Sequence, residues 1–239
     1  MANRPYVLLS CAMSIDGYID DTSPDRLILS NNEDLDRVDE VRAGCDAILI
    51  GASTMRKDNP RLLVNSADRR ADREAHGLPP YPLKLTVTVT GDLDPSLKFW
   101  HYGGAKLVYC PASAVDKVRC RLGDLAEVCS LGQTTVDVSA MLEDLGTRNI
   151  HRLMVEGGGT IHTQFLQADL VDEIHLAVAP FFLGDAKAPR FVNSGLFPDG
   201  PRRRMHLVET RMIGDIALLR YVPAREQSAE ATIGPQGIL

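Results

Sequence analysis

Three short stretches hold the residues whose types and spacing suit chemistry. Residues 155–160 read VEGGGT, with the carboxylate of Glu156 directly before three glycines. Glycines between a strand and a helix let the backbone approach an anion, and the first N–H groups of the helix point at it. Gly157 to Thr160 therefore suit a pyrophosphate, or a tight strand-to-helix turn that needs no ligand. A G-x-G-x-x-G fingerprint is not met, because position 162 is His where that pattern requires Gly. The second stretch, GASTMRKDNPRLLV at 51–64, leaves an apolar run through small residues and carries Asp58 before Asn-Pro. Alone, Asp58-Asn59-Pro60 also reads as an Asx-type turn. The third, AMSIDG at 12–17, ends in Asp16-Gly17, a turn signal. All three are small or polar loops, and all three follow strand-like runs. In open α/β sheets that is where ligands bind.

The elements that must position these loops alternate along the chain. YVLLSCAM reads as a buried strand, and Ser30 to Glu33 (SNNE) as a capping box opening a helix. Leu35, Val38, Val41 and Cys45 recur on one face of that helix. AILIG (47–51) is an unbroken apolar run, as expected of a parallel strand covered on both sides. LTVTVT (85–90), KLVYC and HRLMV continue the strand pattern. TIHTQFLQADL reads as a helix and DEIHLAVAP as a strand. RMHLVETRMIGDIALLRYV reads as two strands around IGD, a hairpin signal. Strands alternating with helices and closed by a hairpin predict an α/β fold with a mainly parallel central sheet and an antiparallel edge. Residues 65–82 are polar and proline-punctuated, which predicts a long surface loop or lid. Residues 224–239 lack periodicity and predict a mobile tail after a domain spanning 1–223.

Bulk composition bounds the function. The 239 residues are 44% hydrophobic, and their formal net charge of −6 gives no bulk attraction for nucleic acid or anionic membranes. No apolar run approaches a membrane span or a signal h-region. The five cysteines form no C-x-x-C pair and have no His at metal-ligand spacing, which fits a reduced cytoplasmic protein without a structural metal.

MSIDGYID, VRAGCDAILIGASTMRKDNPRL and VEGGGTIHTQFLQADLVDEIHLAVAPFFLG occur in that order. In order and spacing they resemble the C-terminal reductase domain of riboflavin-biosynthesis deaminase-reductases. The H-x-E and P-C-x-x-C elements of the family's zinc deaminase do not occur, so the chain resembles a free-standing reductase. The resemblance implies a dihydrofolate-reductase-like fold and NADPH as cofactor. It also implies a homodimer, and a reaction that converts a phosphoribosylaminopyrimidine to the ribitylamino compound. It places Gly158, Gly159, Thr160, Ile161, His162, Thr163 and Gln164 around the cofactor pyrophosphate. Ala12, Thr54, Asp58 and Thr90 fall at further cofactor positions, and Arg42, Leu62 and Glu156 at substrate positions. Glu156 and Asp58 are the residues expected to orient or protonate the substrate. One departure stands out: the family's arginine three residues after Leu62 is Asn65 here. The alternatives are a same-fold reductase of dihydrofolate or of a specialised-pathway substrate, and a catalytically silent NADPH-binding protein.

Overall fold

The run AILIG is buried at all five positions because the sheet is covered on both faces. Ala47 and Leu49 point to one layer, and Ile48 and Ile50 to the other. That layering follows from the period of two along a strand. The computed structural model describes residues 4–224, so all but the first residue of the tail expected at 224–239 lies outside them.

In chain order the first elements are β1 (Tyr6–Ser14), α1 (Asn32–Ala43), β2 (Ala47–Gly51), α2 (Ala52–Asp58), α3 (Ala67–Ala75), β3 (Leu83–Val87), α4 (Lys98–His101) and β4 (Lys106–Cys110). They are followed by α5 (Val115–Leu122), β5 (Glu127–Ser130), α6 (Val138–Thr147), β6 (Arg152–Gly157), α7 (Gly159–Gln167), β7 (Glu173–Ala179), β8 (His206–Ile213) and β9 (Ile216–Val222). Among the described residues the strands form one nine-stranded sheet in the order β5-β4-β3-β2-β6-β1-β7-β9-β8. The pairings from β5 to β7 are parallel, and β9 pairs antiparallel with both β7 and β8. The fold is therefore the expected α/β arrangement with its C-terminal hairpin.

One face of the sheet packs Leu9, Leu49, Leu85, Leu107 and Val155 against Met141, Leu145, Ile161 and Phe165 of α6 and α7. The other packs Ile48, Ile50, Val108 and Met154 against Met55, Phe99, Trp100, Val118 and Leu122. Truncating a fully buried member such as Leu49 to Ala costs about 2–5 kcal/mol, because the rigid layers on both sides collapse only partly.

Several expectations need correcting. The cap of α1 is Asn31 rather than Ser30: its side chain accepts from the Asp34 N–H at 2.9 Å. Leu35 is 46% exposed and leaves the expected apolar face, whereas Asp34 and Arg37 are buried. The loop expected at 65–82 contains α3, capped by Ser66. α3 is no lid, because arginines latch it to α1. Arg73 donates to the carbonyls of Ala43 (2.6 Å) and Cys45 (2.8 Å), and Arg69 pairs with Asp36 and Asp39. The strand expected to reach residue 90 ends at Val87, and the short edge strand β5 was not expected.

Candidate active site

The carboxyl ends of β1, β2, β3 and β6 open onto a cavity of about 630 Å³. Small residues at Ala12, Gly51 and Ala52, with Thr54 and Asp58 from α2, form one part of its wall. Gly158 to His162 and Gln164 form another. The three glycines have a reason in the protein's own backbone. Gly157 has φ +139°, a conformation that side chains rarely adopt. A Cβ on Gly158 would lie 2.9 Å from Thr54 Oγ1, and one on Gly159 only 2.3 Å from the Arg190 carbonyl oxygen. The Gly158 N–H donates to Thr54 Oγ1 at 3.1 Å, which ties the start of α7 to α2. The tight turn is thus real, and it delivers the N-terminus of α7, with no acidic residue in its first turn, to the cavity.

Glu156 and Arg42 are both at the cavity and bind each other. Arg42 Nε and Nη2 each donate to Glu156 at 2.6 Å, and Nη1 donates to the Leu63 carbonyl at 3.2 Å. The two side chains are 18% and 14% exposed, so the fork is largely withdrawn from water. Burial opposes the Arg42 charge, but the Glu156 carboxylate outweighs it and holds the guanidinium pKa above its ordinary value. Two residues expected to meet a substrate separately therefore form one unit. Asp58, at the end of α2, has its carboxylate 4.0 Å from Arg26. Burial pushes its pKa up against the opposing pull of Arg26.

The remaining expected residues divide. Thr90 lines the cavity from the segment after β3, and Ile161 lines it from the core. His162 is fully buried, with Nδ1 3.1 Å from the Phe191 carbonyl and, among the described residues, no partner for Nε2. Burial pulls its pKa down to about 4. Thr163 and Leu62 do not line the cavity. The Thr163 hydroxyl donates to the Gly159 carbonyl at 2.6 Å and accepts the Asn193 N–H at 2.8 Å, and Leu62 belongs to the second core layer. Asn65 is exposed and away from the cavity, its N–H bonded to Asp39. Asp16 holds the turn of the first loop: Ser14 and the N–H groups of Leu183 and Gly184 bond its carboxylate and lower its pKa to about 2. Cys11 also lines the cavity, and burial pushes its thiol up to about 12, far from a thiolate.

Sequence reasoning missed the charge balance of the cavity. Six cationic side chains line it (Arg26, Arg37, Arg42, Arg56, Lys57 and Arg190) against four acidic ones (Asp20, Asp34, Asp58 and Glu156). A cationic excess inside a chain of net charge −6 suits an anionic ligand. Arg190 comes from a loop with no motif. Its guanidinium stacks 4.3 Å from the Tyr18 ring centre and donates to the Tyr18 hydroxyl at 2.7 Å.

The family model described as the RibD C-terminal domain matches residues 5–219. The chain belongs to that family. Among its relatives is the 2,5-diamino-6-ribosylamino-4(3H)-pyrimidinone 5′-phosphate reductase of Archaeoglobus fulgidus. It is 38% identical over 186 residues, covering 78% of this chain and 85% of the relative. The enzyme of the same name from Methanothermobacter thermautotrophicus is 32% identical over 219 residues, covering 91% and 98%. A pyrimidine reductase-like protein of Corynebacterium diphtheriae superposes with a TM-score of 0.77 at 22% identity, over 94% of each chain. The architecture of this RibD-type domain is dihydrofolate-reductase-like, as the resemblance implied. Among the described residues no helix is long and apolar enough to cross a membrane, and no group of three or more His, Cys, Asp or Glu side chains could hold a metal ion.

Proposed function

We propose that this RibD-type chain reduces a phosphoribosylated diaminopyrimidinone to its ribitylamino product in riboflavin biosynthesis, with NADPH as reductant. The observation that carries the proposal is the cation-rich cavity at the carboxyl ends of the strands, where the start of α7 meets the Arg42–Glu156 fork. The names of the relatives, at 32% and 38% identity, point the same way.

The site fits a dinucleotide. The Gly158–Thr160 turn, where a Cβ on Gly158 or Gly159 would meet neighbouring atoms, brings backbone N–H groups close to a pyrophosphate, beside Thr54. Ala12 and the segment through Thr90 line the same space. When bound, NADPH supplies a hydride to C1′ of the ring-opened sugar. The protein's part is alignment and proton supply. Glu156, fixed by two Arg42 bonds, accepts hydrogen bonds from the sugar and orients C1′. Asp58, on the same wall, is the carboxyl group that would pass a proton to the nitrogen, and burial shifts its pKa upward in the direction that favours this role. Arg42 acts through Glu156 in this scheme. The cationic excess attracts the phosphates of both ligands. Among the described residues β8 is an edge strand with no partner on its outer side, and its Leu207, Val208 and Met212, at 50%, 51% and 83% exposure, are in keeping with a homodimer.

The test is oxidation of NADPH, read at the nicotinamide absorbance, with three compounds in parallel: the diaminopyrimidinone ribosylamine phosphate, its uracil counterpart and dihydrofolate. Turnover of a pyrimidine, with NADPH bound more tightly than NADH, is the expected result. Turnover of dihydrofolate alone would overturn the proposal, and tight NADPH binding without any turnover would mark a silent binder.

A further inference from the structure

One buried cation takes no part in the mechanism. Lys84 of β3 is 0% exposed, and among the described residues it pairs with no carboxylate. Its ammonium donates instead to the Arg61 carbonyl at 3.0 Å and to the Phe99 carbonyl, with the Phe99 ring centre 4.4 Å away. Lys106, its register partner on β4, is a second cation and makes the charge harder to hold. A buried charge without a counter-ion is expensive, and Met would fill much of the same space without that cost. The Phe99 carbonyl lies in the last turn of the short helix α4, where carbonyls lack helical partners, so capping accounts for that bond. The Arg61 carbonyl belongs to no helix or strand, and its bond serves another end.

Arg61 lies in the segment 59–66 between α2 and α3, whose backbone is strained. Asn59 and Leu62 have φ of +41° and +51°, and for a residue as bulky as Leu that conformation is an outlier. Such strain persists only where the surroundings impose it. Here cations grip successive carbonyls: Lys84 that of Arg61, Arg42 Nη1 that of Leu63 at 3.2 Å, and Arg70 those of Val64 and Asn65 at 2.9 and 2.7 Å. Asp39 of α1 takes the N–H groups of Asn65 and Ser66. The grip on Leu63 belongs to the fork, because the same guanidinium holds Glu156 by two bonds of 2.6 Å. Lys84 and Arg42 thus hold the carbonyls on either side of the strained Leu62. Every step from Lys84 through Arg61 and Leu63 to Arg42 and Glu156 is a covalent or a hydrogen bond. We propose that Lys84 is a positioning residue for the reductase reaction: by pinning the Arg61 carbonyl it sets where Leu63 meets Arg42, and so where the Glu156 carboxylate points. With the pin removed, Leu62 relaxes, the Leu63 carbonyl shifts and the guanidinium turns with it.

This inference rests on the proposed reductase reading, and the experiment keeps the two apart. The kcat/KM for the diaminopyrimidinone substrate and the Kd of NADPH are measured in wild type, Lys84→Met, Glu156→Gln and the double variant. Lys84→Met should keep the wild-type circular dichroism spectrum, lower kcat/KM about tenfold and shift the NADPH Kd less than about twofold, since no proposed cofactor contact lies on the path. In the Glu156→Gln background the same change should lower kcat/KM by less than about twofold, because the group it positions is already gone. A merely structural lysine would weaken NADPH and pyrimidine together, or multiply its loss onto that of Glu156→Gln. Either result overturns the inference. Lys84→Gln, with donors on an arm one bond shorter, should lose about threefold and repeat the non-additivity, and this second cycle decides if Lys84→Met does not fold. Wild-type kcat/KM in a folded Lys84 variant also overturns the inference, while the reductase reading stands. A wild-type protein inert toward the pyrimidine removes that reading and the inference with it.

Discussion

Replacing Arg42 with Met separates the half of the Arg42–Glu156 fork that holds from the half that is held. Met fills most of the volume of the arginine stem but leaves the Glu156 carboxylate facing the cavity without its two bonds of 2.6 Å. Breaking a fully buried ion pair by removing one partner costs about 3–5 kcal/mol, and an exposed pair contributes about 0–1 kcal/mol. With side chains 18% and 14% exposed, this pair lies toward the buried limit, and a loss of about 2–3 kcal/mol is expected. For a chain of this size that corresponds to a fall in Tm of about 5–10 °C. The double variant Arg42→Met/Glu156→Gln should regain more than half of the loss, since no charge is then stranded. Calorimetric or circular-dichroism melting of the four proteins in the cycle measures both numbers. Additive losses, or an Arg42→Met protein as stable as wild type, would refute the fork as the device that holds Glu156. In the same cycle Glu156→Gln should lower kcat with little change in NADPH affinity.

Other perturbations give equally definite outcomes. Gly159→Ala pushes a Cβ to 2.3 Å from the Arg190 carbonyl and should destabilise by about 1–3 kcal/mol, an overpacking cost read by denaturant unfolding. Lys84 is fully buried, donates to the carbonyls of Arg61 and Phe99, and lies 4.4 Å from the Phe99 ring centre. Burial, aided by Lys106, depresses its pKa from 10.5 to about 7. The unfolded chain therefore holds the proton between about pH 7 and 10.5 while the folded one releases it, so stability rises with pH across that window. Lys84→Met should flatten that rise, as seen in paired denaturant titrations. His162 obeys the same linkage on the acid side. With its pKa lowered from 6.5 to about 4, it makes stability fall as pH drops through that interval, by up to about 3 kcal/mol, and His162→Asn should remove this component.

The strands were legible because their signals are local. AILIG, HRLMV and the IGD hairpin each carry their pattern within a few residues. The start of α1 was misplaced by one residue because Ser30 to Glu33 meets the capping-box pattern while the next residue, Asn31, is itself a favoured cap. A distant contact decides between them: Asn31 Nδ2 donates to the Ile213 carbonyl at 2.7 Å and to Asp215 at 3.0 Å, which pins the cap to the turn between β8 and β9. α3 escaped notice because it has no apolar stripe. Arginine side chains reaching carbonyls and carboxylates of α1 do the work that leucines do elsewhere. At the site, the glycine turn and Glu156 stood out as a motif. That Glu156 is occupied by Arg42, a residue 114 positions away, is a fact of topology that spacing does not carry. The Asp34–Arg37 pair was visible only as charges three apart on a helix, a spacing that usually marks a solvated face.

The place of β1 in the middle of the sheet governs how the protein can be made. Its two partners are β6 and β7, which begin at Arg152 and Glu173. A ribosome adding about 5–20 residues per second delivers those partners roughly seven to thirty seconds after β1 has emerged. Through that interval the segment YVLLSCAMS, apolar and strand-forming, has no neighbour to pair with. β2, β3 and β4 can zip together well before it, since each pairs with the next in sequence. The nascent chain thus passes through a half-sheet with a waiting strand at its head, the kind of segment that chaperones bind. Synonymous changes that slow translation between β4 and β6 would lengthen that wait without altering a single residue of the finished protein.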